Sequence, residues 1–268
     1  MNNKIIELDS KGVREMNTLT SLFSKTYHID LRDVDFTKKL KLSNLFSYFQ
    51  DIASQAAEVL GYGIETLEEK FGVAWVVTRI RVEIIRLPVW DEEITIETWP
   101  LDPGKVEFDR DYLVKDANGN VIIRAVSKWV IMDIKERKLK RSELIGIQYP
   151  ESRTERAIEG RLGKLKDFGQ LEAAYDKVIG YSDIDFNGHL NNSKYVDYIM
   201  DCFPVEDHKN YSIQVIDINF LQEALPGDSI KLNKDTTKLN DHEIYIDGVN
   251  QTNGNVVFKS QVTIKNNS

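Results

Sequence analysis

The sequence predicts an α+β fold made of two similar halves in tandem, each an antiparallel β-sheet wrapped around a central α-helix. Three observations predict it. A long helical pattern precedes four strand patterns in the first half, the same order recurs in the second half, and short motifs recur at matching places. A helix that is apolar on one face must bury that face, and an antiparallel sheet supplies the surface.

The first half begins with a strand, expected from Tyr27 to Leu31. The central helix is expected from Leu45 to Leu60, because its apolar residues recur at helical spacing, and Gly61 and Gly63 should end it. Four strands should follow, with turn signals at Pro88 and Asn118-Gly119: Trp75 to Ile85, Ile94 to Trp99, Glu107 to Lys115 and Val121 to Ile131.

Three motifs of the first half recur in the second half in the same order. Residues 33–36 match residues 183–186, residues 77–82 match residues 215–220, and residues 118–121 match residues 253–256, with a steadily shrinking offset. A duplicated unit with loop deletions in its second copy produces this pattern.

The repeat sets the expected domain boundaries. Residues 1–148 should form the N-terminal domain, residues 149–172 a linker and residues 173–268 the C-terminal domain. The linker region is rich in charge and poor in periodic apolar residues, with room for one short helix around Arg156 to Leu162.

Composition narrows the class of protein. A net charge of −8 argues against a nucleic-acid partner, since the phosphate backbone requires a basic surface. One cysteine, Cys202, rules out an internal disulfide, and four scattered histidines offer no zinc-type ligand spacing, so we expect neither a metal nor another cofactor. We also expect no membrane span and a cytoplasmic location, because the sequence has no long apolar run and no signal-peptide or transit-peptide pattern at its start.

A polar loop before the second helix concentrates groups that can do chemistry. Asp185 has a counterpart in the first copy, but Asn187 and His189 are replaced there by Thr37 and Lys39. Taken singly, Asn187-Gly188 is typical of a turn and His189 of a helix cap. Only the second copy carries the whole polar set.

Glu223 is a fourth candidate. Aligning the two copies by the strand motif places it opposite Ile85, near the end of a strand-like stretch that stops at Pro226-Gly227. A carboxylate at a position that the other copy fills with Ile could face the interior, where desolvation raises its pKa and suits it to act as a general base. An exposed residue at a strand end is the equally weighted alternative.

The chain resembles the acyl-acyl-carrier-protein thioesterases of plant plastids and bacteria, in which a single chain holds two hotdog domains. The motifs that carry the resemblance are Trp75-Val76-Val77-Thr78-Arg79, Leu87-Pro88-Val89-Trp90, Val126-Ser127-Lys128-Trp129-Val130 and the loop from Ser182 to Tyr195. The likeness covers most of the chain, from about Ser24 onward, and is far more specific than any one short motif.

The resemblance implies site residues and a reaction. The family's aspartate, asparagine and histidine fall on Asp185, Asn187 and His189, and its glutamate on Glu223. Plant members carry a cysteine directly after that glutamate, where this chain has Ala224, so a cysteine nucleophile is impossible there. The implied reaction is hydrolysis of the thioester between a fatty acyl chain and the phosphopantetheine arm of acyl carrier protein, a step of fatty acid biosynthesis.

Roles within that reaction are expectations at this point. Glu223 should activate water, Asn187 and His189 with the amides at the helix N-terminus should hold the carbonyl oxygen, and Asp185 should orient the water or the histidine. The first copy should be the acyl-binding half.

A basic cluster is the candidate docking surface for the acidic carrier protein. It comprises Lys135, Arg137, Lys138, Lys140 and Arg141. Without the resemblance, a solvated turn between strands is the better interpretation; with it, electrostatic attraction to the carrier becomes reasonable.

Two other functions remain open. One is an acyl-CoA thioesterase of the same fold, and the other is a non-catalytic hotdog protein that binds acyl chains. The chain could be a monomer, because two fused hotdog domains already form a pseudo-dimer, or a homodimer.

Overall fold

The computed structural model describes residues 6–9, 12–13, 21–150, 153–167 and 169–267. Two compact units hold them. The first comprises the described residues up to Leu40 with Tyr48–Thr78 and Arg86–Leu162, and the second comprises Lys41–Ser47, Arg79–Ile85 and the described residues from Gly163 onward. None of the helices in these ranges is long and apolar enough to cross a membrane.

The first unit contains an antiparallel sheet and helical segments. The strands of its sheet are β1 (Ile6–Asp9), β2 (Gly12–Val13), β3 (Phe23–His28), β5 (Glu93–Pro100), β6 (Phe108–Asp116), β7 (Val121–Asp133) and β8 (Leu139–Lys140). They run in the order β2-β1-β3-β5-β6-β7, with β8 beside β7, and are antiparallel except where β1 lies parallel to β3. The first residues of strand β4 (Val73–Ile84) belong to this unit, and its remaining residues belong to the second unit.

Helix α1 (Leu42–Val59) is the predicted central helix, and the four predicted strands are present within a few residues of their expected ends. On the part of α1 that belongs to the first unit, Phe49, Ile52 and Ala56 are buried, and the ring of Phe49 lies 4.7 Å from that of Tyr112 on β6. The apolar periodicity therefore identified the buried face.

Helix α2 (Ile64–Phe71) was not predicted. It buries Leu67 against Val73, Phe108 and Ile131, and ends at Gly72, which adopts a positive φ of 63° and donates its N–H to the carbonyl of Glu68. A helix of eight residues gives too short a periodic pattern to stand out in the sequence.

The second unit repeats the plan with a shorter helix. Its elements are β9 (Glu172–Val178), α3 (Asn192–Asp201), α4 (Asp207–Asn210), β10 (Tyr211–Phe220), β11 (Ser229–Asp235), β12 (Glu243–Asn250) and β13 (Val256–Asn266). The sheet runs in the order β4-β10-β13-β12-β11-β9 and is antiparallel, with the later part of β4 at one edge.

Aromatic packing holds α3 on this sheet. The ring of Tyr195 meets those of Phe220 and Phe258 edge-on, at 5.5 and 5.3 Å between centroids. Phe258 fits because residue 248 is glycine: a Cβ there would lie 2.3 Å from the Phe258 ring. Cys202 is buried.

The segment predicted to be a linker contacts the sheet of the first unit at defined points. The carbonyl of Glu155 accepts a hydrogen bond from Trp99 Nε1 at 3.1 Å, and the amide of Ala157 donates to Asp111 Oδ2 at 2.7 Å. The short helix expected around Arg156 to Leu162 is wrong, because the amide of Ala157 bonds this buried carboxylate and Gly160 adopts a φ of 92°. The boundaries 1–148, 149–172 and 173–268 stay a prediction.

Candidate active site

The loop that carries three of the predicted side chains is a tight turn before α3. The amide of Gly188 donates to the carbonyl of Asp185 at 3.0 Å, and the amide of Asp185 donates to the carbonyl of His189 at 2.9 Å. Gly188 has a φ of 80°, a conformation that glycine adopts without strain. The turn exposes Asn187 and leaves His189 half-buried.

Asp185 builds this turn with its own side chain. Its Oδ1 accepts the amide of Asn187 at 2.9 Å and the amide of His189 at 3.3 Å. A short carboxylate that bonds the backbone two residues on is a common turn device. The structure therefore gives Asp185 a backbone role in holding the two following polar residues.

The first copy has the same turn without the same chemistry. The amide of Thr37 donates to Asp35 Oδ1 at 2.7 Å, and the amide of Asp35 donates to the carbonyl of Lys39 at 2.9 Å. Lys38 takes the place of Gly188 with a φ of 61°. The scaffold is common to both copies, and the side chains at 187 and 189 are what distinguishes the second.

Glu223 approaches this turn from the loop between β10 and β11. The amide of Leu190, the residue after His189, donates to the carbonyl of Ala224, the residue after Glu223, at 2.9 Å. As a result His189 Nε2 lies 3.4 Å from Glu223 Oε2, with side chains 25% and 39% exposed. An imidazole and a carboxylate thus meet where water can reach both.

Glu223 lies in a loop and not in the expected strand, because β10 ends at Phe220. Of its two equally weighted orientations, the interior-facing one is wrong and the exposed one is confirmed, since its side chain is 39% exposed. Ile85 is itself at the surface, at 65%, so an apolar residue at that position of the first copy does not indicate burial.

The hydrogen bonds also change which residue is the counterpart of Glu223. The amide of Leu40 donates to the carbonyl of Pro88 as that of Leu190 does to Ala224, both at 2.9 Å. Farther along, the amide of Val89 donates to Glu92 and that of Leu225 to Asp228, again both at 2.9 Å. Pro88 therefore corresponds to Ala224, which places Leu87, and not Ile85, opposite Glu223.

Asp228 was missed by the sequence reasoning. Its Oδ2 accepts the amide of Leu225 and, at 2.7 Å, Nδ2 of Asn250, so it braces the loop that carries Glu223. The available signal was an acidic residue in the equivalent turn of each copy, Glu92 and Asp228. The alignment by strand motifs did not place these two residues opposite each other.

Asn187 and the helix N-terminus differ in what they can offer a substrate. The side chain of Asn187 makes no hydrogen bond with any residue that the structure describes, and it is exposed. The amide of Ser193 is occupied by Asn191 Oδ1 at 2.9 Å, and the amide of Lys194 by the carbonyl of Asn191. The expected use of helix amides for the carbonyl oxygen is therefore wrong for these two.

The basic cluster lies apart from this loop in the chain, at the turn between β7 and β8. Asp133 partly neutralises it: its carboxylate accepts the amides of Lys135 and Glu136 and lies 3.1 Å from Lys140 Nζ. These bonds, above all that from Glu136, lower the pKa of Asp133, and the bond to Asp133 raises that of Lys140. Lys138, with a side chain 75% exposed, points to solvent. The turn between strands is confirmed, and docking stays a prediction.

Comparison with known families gives two matches along the chain. Residues 20–143 match the model of the acyl-ACP thioesterase N-terminal domain, and residues 173–260 match that of the acyl-ACP thioesterase C-terminal domain. Together these cover most of the sequence and both copies of the repeat.

Plant thioesterases are among the curated relatives. The chain is 29% identical over 215 residues to oleoyl-acyl carrier protein thioesterase 2, chloroplastic, of Arabidopsis thaliana, covering 74% of this chain and 58% of the relative. It is 26% identical to palmitoyl-acyl carrier protein thioesterase, chloroplastic, of Gossypium hirsutum, covering 81% of this chain and 55% of the relative. The chain thus spans little more than half the length of these relatives.

Solved structures share the fold. An acyl-ACP thioesterase from Bacteroides thetaiotaomicron superposes with a TM-score of 0.82 at 24% identity, covering 91% of this chain and 98% of the other. The 12:0-ACP thioesterase from Umbellularia californica gives 0.79 at 20% identity, covering 94% and 100%. The predicted α+β fold of two tandem hotdog domains is confirmed.

Proposed function

Because the chain belongs to the acyl-ACP thioesterase family, we propose that it hydrolyses the thioester of fatty acyl-acyl carrier protein, releasing a free fatty acid and the carrier. The observation that carries the proposal is the solvent-accessible His189–Glu223 pair, 3.4 Å apart, on a scaffold whose other copy has Lys39 and Leu87 at those positions. The proposed setting is fatty acid biosynthesis in the cytoplasm.

In the proposed reaction Glu223 is the general base. It accepts a proton from water as the water oxygen forms a bond to the thioester carbonyl carbon. The carbon–sulfur bond then breaks, and the thiolate of the phosphopantetheine arm receives that proton, which leaves the acid and the free thiol. A positioned base contributes about 10²–10⁴-fold to such a step.

The negative charge that develops on the carbonyl oxygen needs donors. Asn187 supplies a side-chain amide that no described residue occupies, and His189 supplies an imidazole N–H. One donor of this kind is typically worth about 10²–10³-fold in kcat. Asp185 acts on both through the backbone, since its carboxylate binds the amides of residues 187 and 189. No step requires a cofactor.

Binding of the carrier and of the acyl chain are separate parts of the proposal. The carrier is acidic, and the cluster of Lys135, Arg137, Lys138, Lys140 and Arg141 offers an exposed basic surface that suits it. The acyl chain is assigned to the first unit, which lacks the polar set.

The test is hydrolysis by the purified protein of a panel of acyl carrier protein thioesters that differ in length and saturation, with the matching acyl-CoA thioesters alongside. We expect turnover of carrier-bound substrates that the Glu223→Gln variant loses. Faster turnover of the CoA esters would make the protein an acyl-CoA thioesterase. Binding of acyl chains without any hydrolysis would refute the enzymatic proposal.

A further inference from the structure

The loop of Glu223 has a second contact with the segment that carries His189, through a side chain that the sequence presents only as part of an apolar helix face. The hydroxyl of Tyr195, on the first turns of α3, donates to the carbonyl oxygen of Gln222 at 3.4 Å. Gln222 directly precedes Glu223. Tyr195 is 3% exposed, and burial raises the pKa of its hydroxyl far above the usual value, so the group stays protonated and can donate.

Glu223 is therefore held from both sides by the chain that carries His189. The carbonyl before it is bound by Tyr195, and the carbonyl after it is bound by the amide of Leu190. With both neighbours fixed, the backbone of Glu223 has little freedom to move, so the loop cannot carry the side chain away from His189. Rigid placement of the reacting groups matters because a misplacement of about 1 Å can cost about 10²-fold in rate.

Of these two hydrogen bonds, only one has an equivalent in the first copy. The bond from Leu190 to Ala224 has an equivalent in the first copy, from Leu40 to Pro88, so it belongs to the shared scaffold. Helices α1 and α3 begin at equivalent positions, Leu42 and Asn192, which puts Leu45 at the place of Tyr195. A leucine has no hydroxyl to donate. The bond from Tyr195 to Gln222 is therefore found only in the copy that has the glutamate.

We propose that Tyr195 is a positioning residue for the hydrolysis, which holds the loop of Glu223 so that its carboxylate faces His189. Tyr195 does not touch the substrate, because it is buried and its hydroxyl is engaged with the backbone. The proposal rests on the proposed function for its kinetic consequence, but not for its structural one.

The test compares two tyrosine-to-phenylalanine variants. Tyr195→Phe removes the bond to Gln222 and keeps the ring that packs on Phe220 and Phe258. Tyr175→Phe is the matched control, because its hydroxyl also donates to a backbone carbonyl of the same unit, that of Tyr198, at 3.0 Å, and has no bond to the Glu223 loop. For Tyr195→Phe we expect kcat to fall roughly 10- to 100-fold with little change in KM, whereas Tyr175→Phe should keep the kcat of the wild type.

Backbone amide hydrogen exchange of residues 221–225 is the second readout, and it does not depend on catalysis. We expect faster exchange in Tyr195→Phe and unchanged exchange in Tyr175→Phe. Equal losses of kcat in both variants, or unchanged exchange in Tyr195→Phe, would overturn the positioning role. If the wild type hydrolyses nothing, the proposed function fails, and the exchange data alone decide whether Tyr195 orders this loop.

Discussion

The imidazole Nε2 of His189 lies 3.4 Å from the carboxylate Oε2 of Glu223, although the two residues belong to different loops of the second unit. The contact depends on the backbone bond from Leu190 to Ala224, which joins the loops directly beside the two side chains. Since that bond has an equivalent in the first copy, the scaffold is common to both copies, and the proposed activity depends on a few side chains placed on it.

Replacing Glu223 by Gln should lower kcat by about 10²–10⁴-fold, because the amide has nearly the same shape but cannot accept the proton of water. KM and the melting temperature should change little. The matched control is Glu206→Gln, which makes the same change at an exposed glutamate of the same unit, paired with Lys209. Full activity in the Glu223 variant, measured by release of free thiol, would exclude Glu223 as the base.

The oxyanion donors can be tested against their counterparts in the first copy. Asn187→Ala and His189→Ala should each lower kcat by about 10²–10³-fold, because each removes a donor to the developing charge. Thr37→Ala and Lys39→Ala change the equivalent turn and should leave kcat within about twofold of the wild type. Losses of the same size in both copies would mean that the turn, rather than its donors, is what matters.

Charge reversal in the basic cluster should weaken carrier binding. The triple variant Lys138→Glu, Lys140→Glu, Arg141→Glu should raise KM for carrier-bound substrate while leaving KM for a small soluble thioester unchanged, because only the carrier carries the acidic surface. The rise should shrink at high salt. Lys231→Glu, which reverses one exposed lysine on β11, is the matched control for the single reversal Lys138→Glu. Equal effects on both substrates would rule out docking at this cluster.

Asp217 should make stability depend on pH. Burial raises its pKa to about 6, against the opposing effect of Arg81, whose Nη1 lies 2.9 Å from its carboxylate. Between about pH 4 and 6 the folded state holds a proton that the unfolded state releases, so the stability contributed by this group falls as the pH rises.

The Asp217→Asn variant removes that dependence. The free energy of unfolding of the variant minus that of the wild type should therefore increase by roughly 1–3 kcal/mol from about pH 4 to pH 7.5. Urea denaturation at a series of pH values measures it. A difference that stays constant over this range would show that Asp217 titrates alike in both states.

Gly248 should not tolerate a side chain. A Cβ would lie 2.3 Å from the Phe258 ring, so Gly248→Ala should lower the free energy of unfolding by about 1–3 kcal/mol through overpacking of the core around α3. Gly163→Ala is the matched control, because a Cβ there meets no atom within 4 Å. Chemical denaturation of both variants makes the comparison, and equal stabilities would contradict the packing described.

The sequence by itself determined the two-copy α+β plan and indicated the polar loop as the candidate site. Apolar spacing located α1 and the strands because burial of one face imposes a period on the chain, and the differences between the copies at residues 187 and 189 pointed to the polar loop. The short helix α2 was not predicted, because a helix of eight residues has too few turns to show a clear apolar period.

Only the tertiary structure decided how Glu223 relates to the rest of the site. Alignment by strand motifs cannot see a two-residue difference in the length of a loop, whereas the hydrogen bonds of Pro88 and Ala224 fix the register and put Leu87 opposite Glu223. The role of the Tyr195 hydroxyl also could not be predicted from the sequence. Its ring satisfies the apolar pattern of the helix, and its bond to Gln222 joins residues that are distant in the chain and adjacent only after folding.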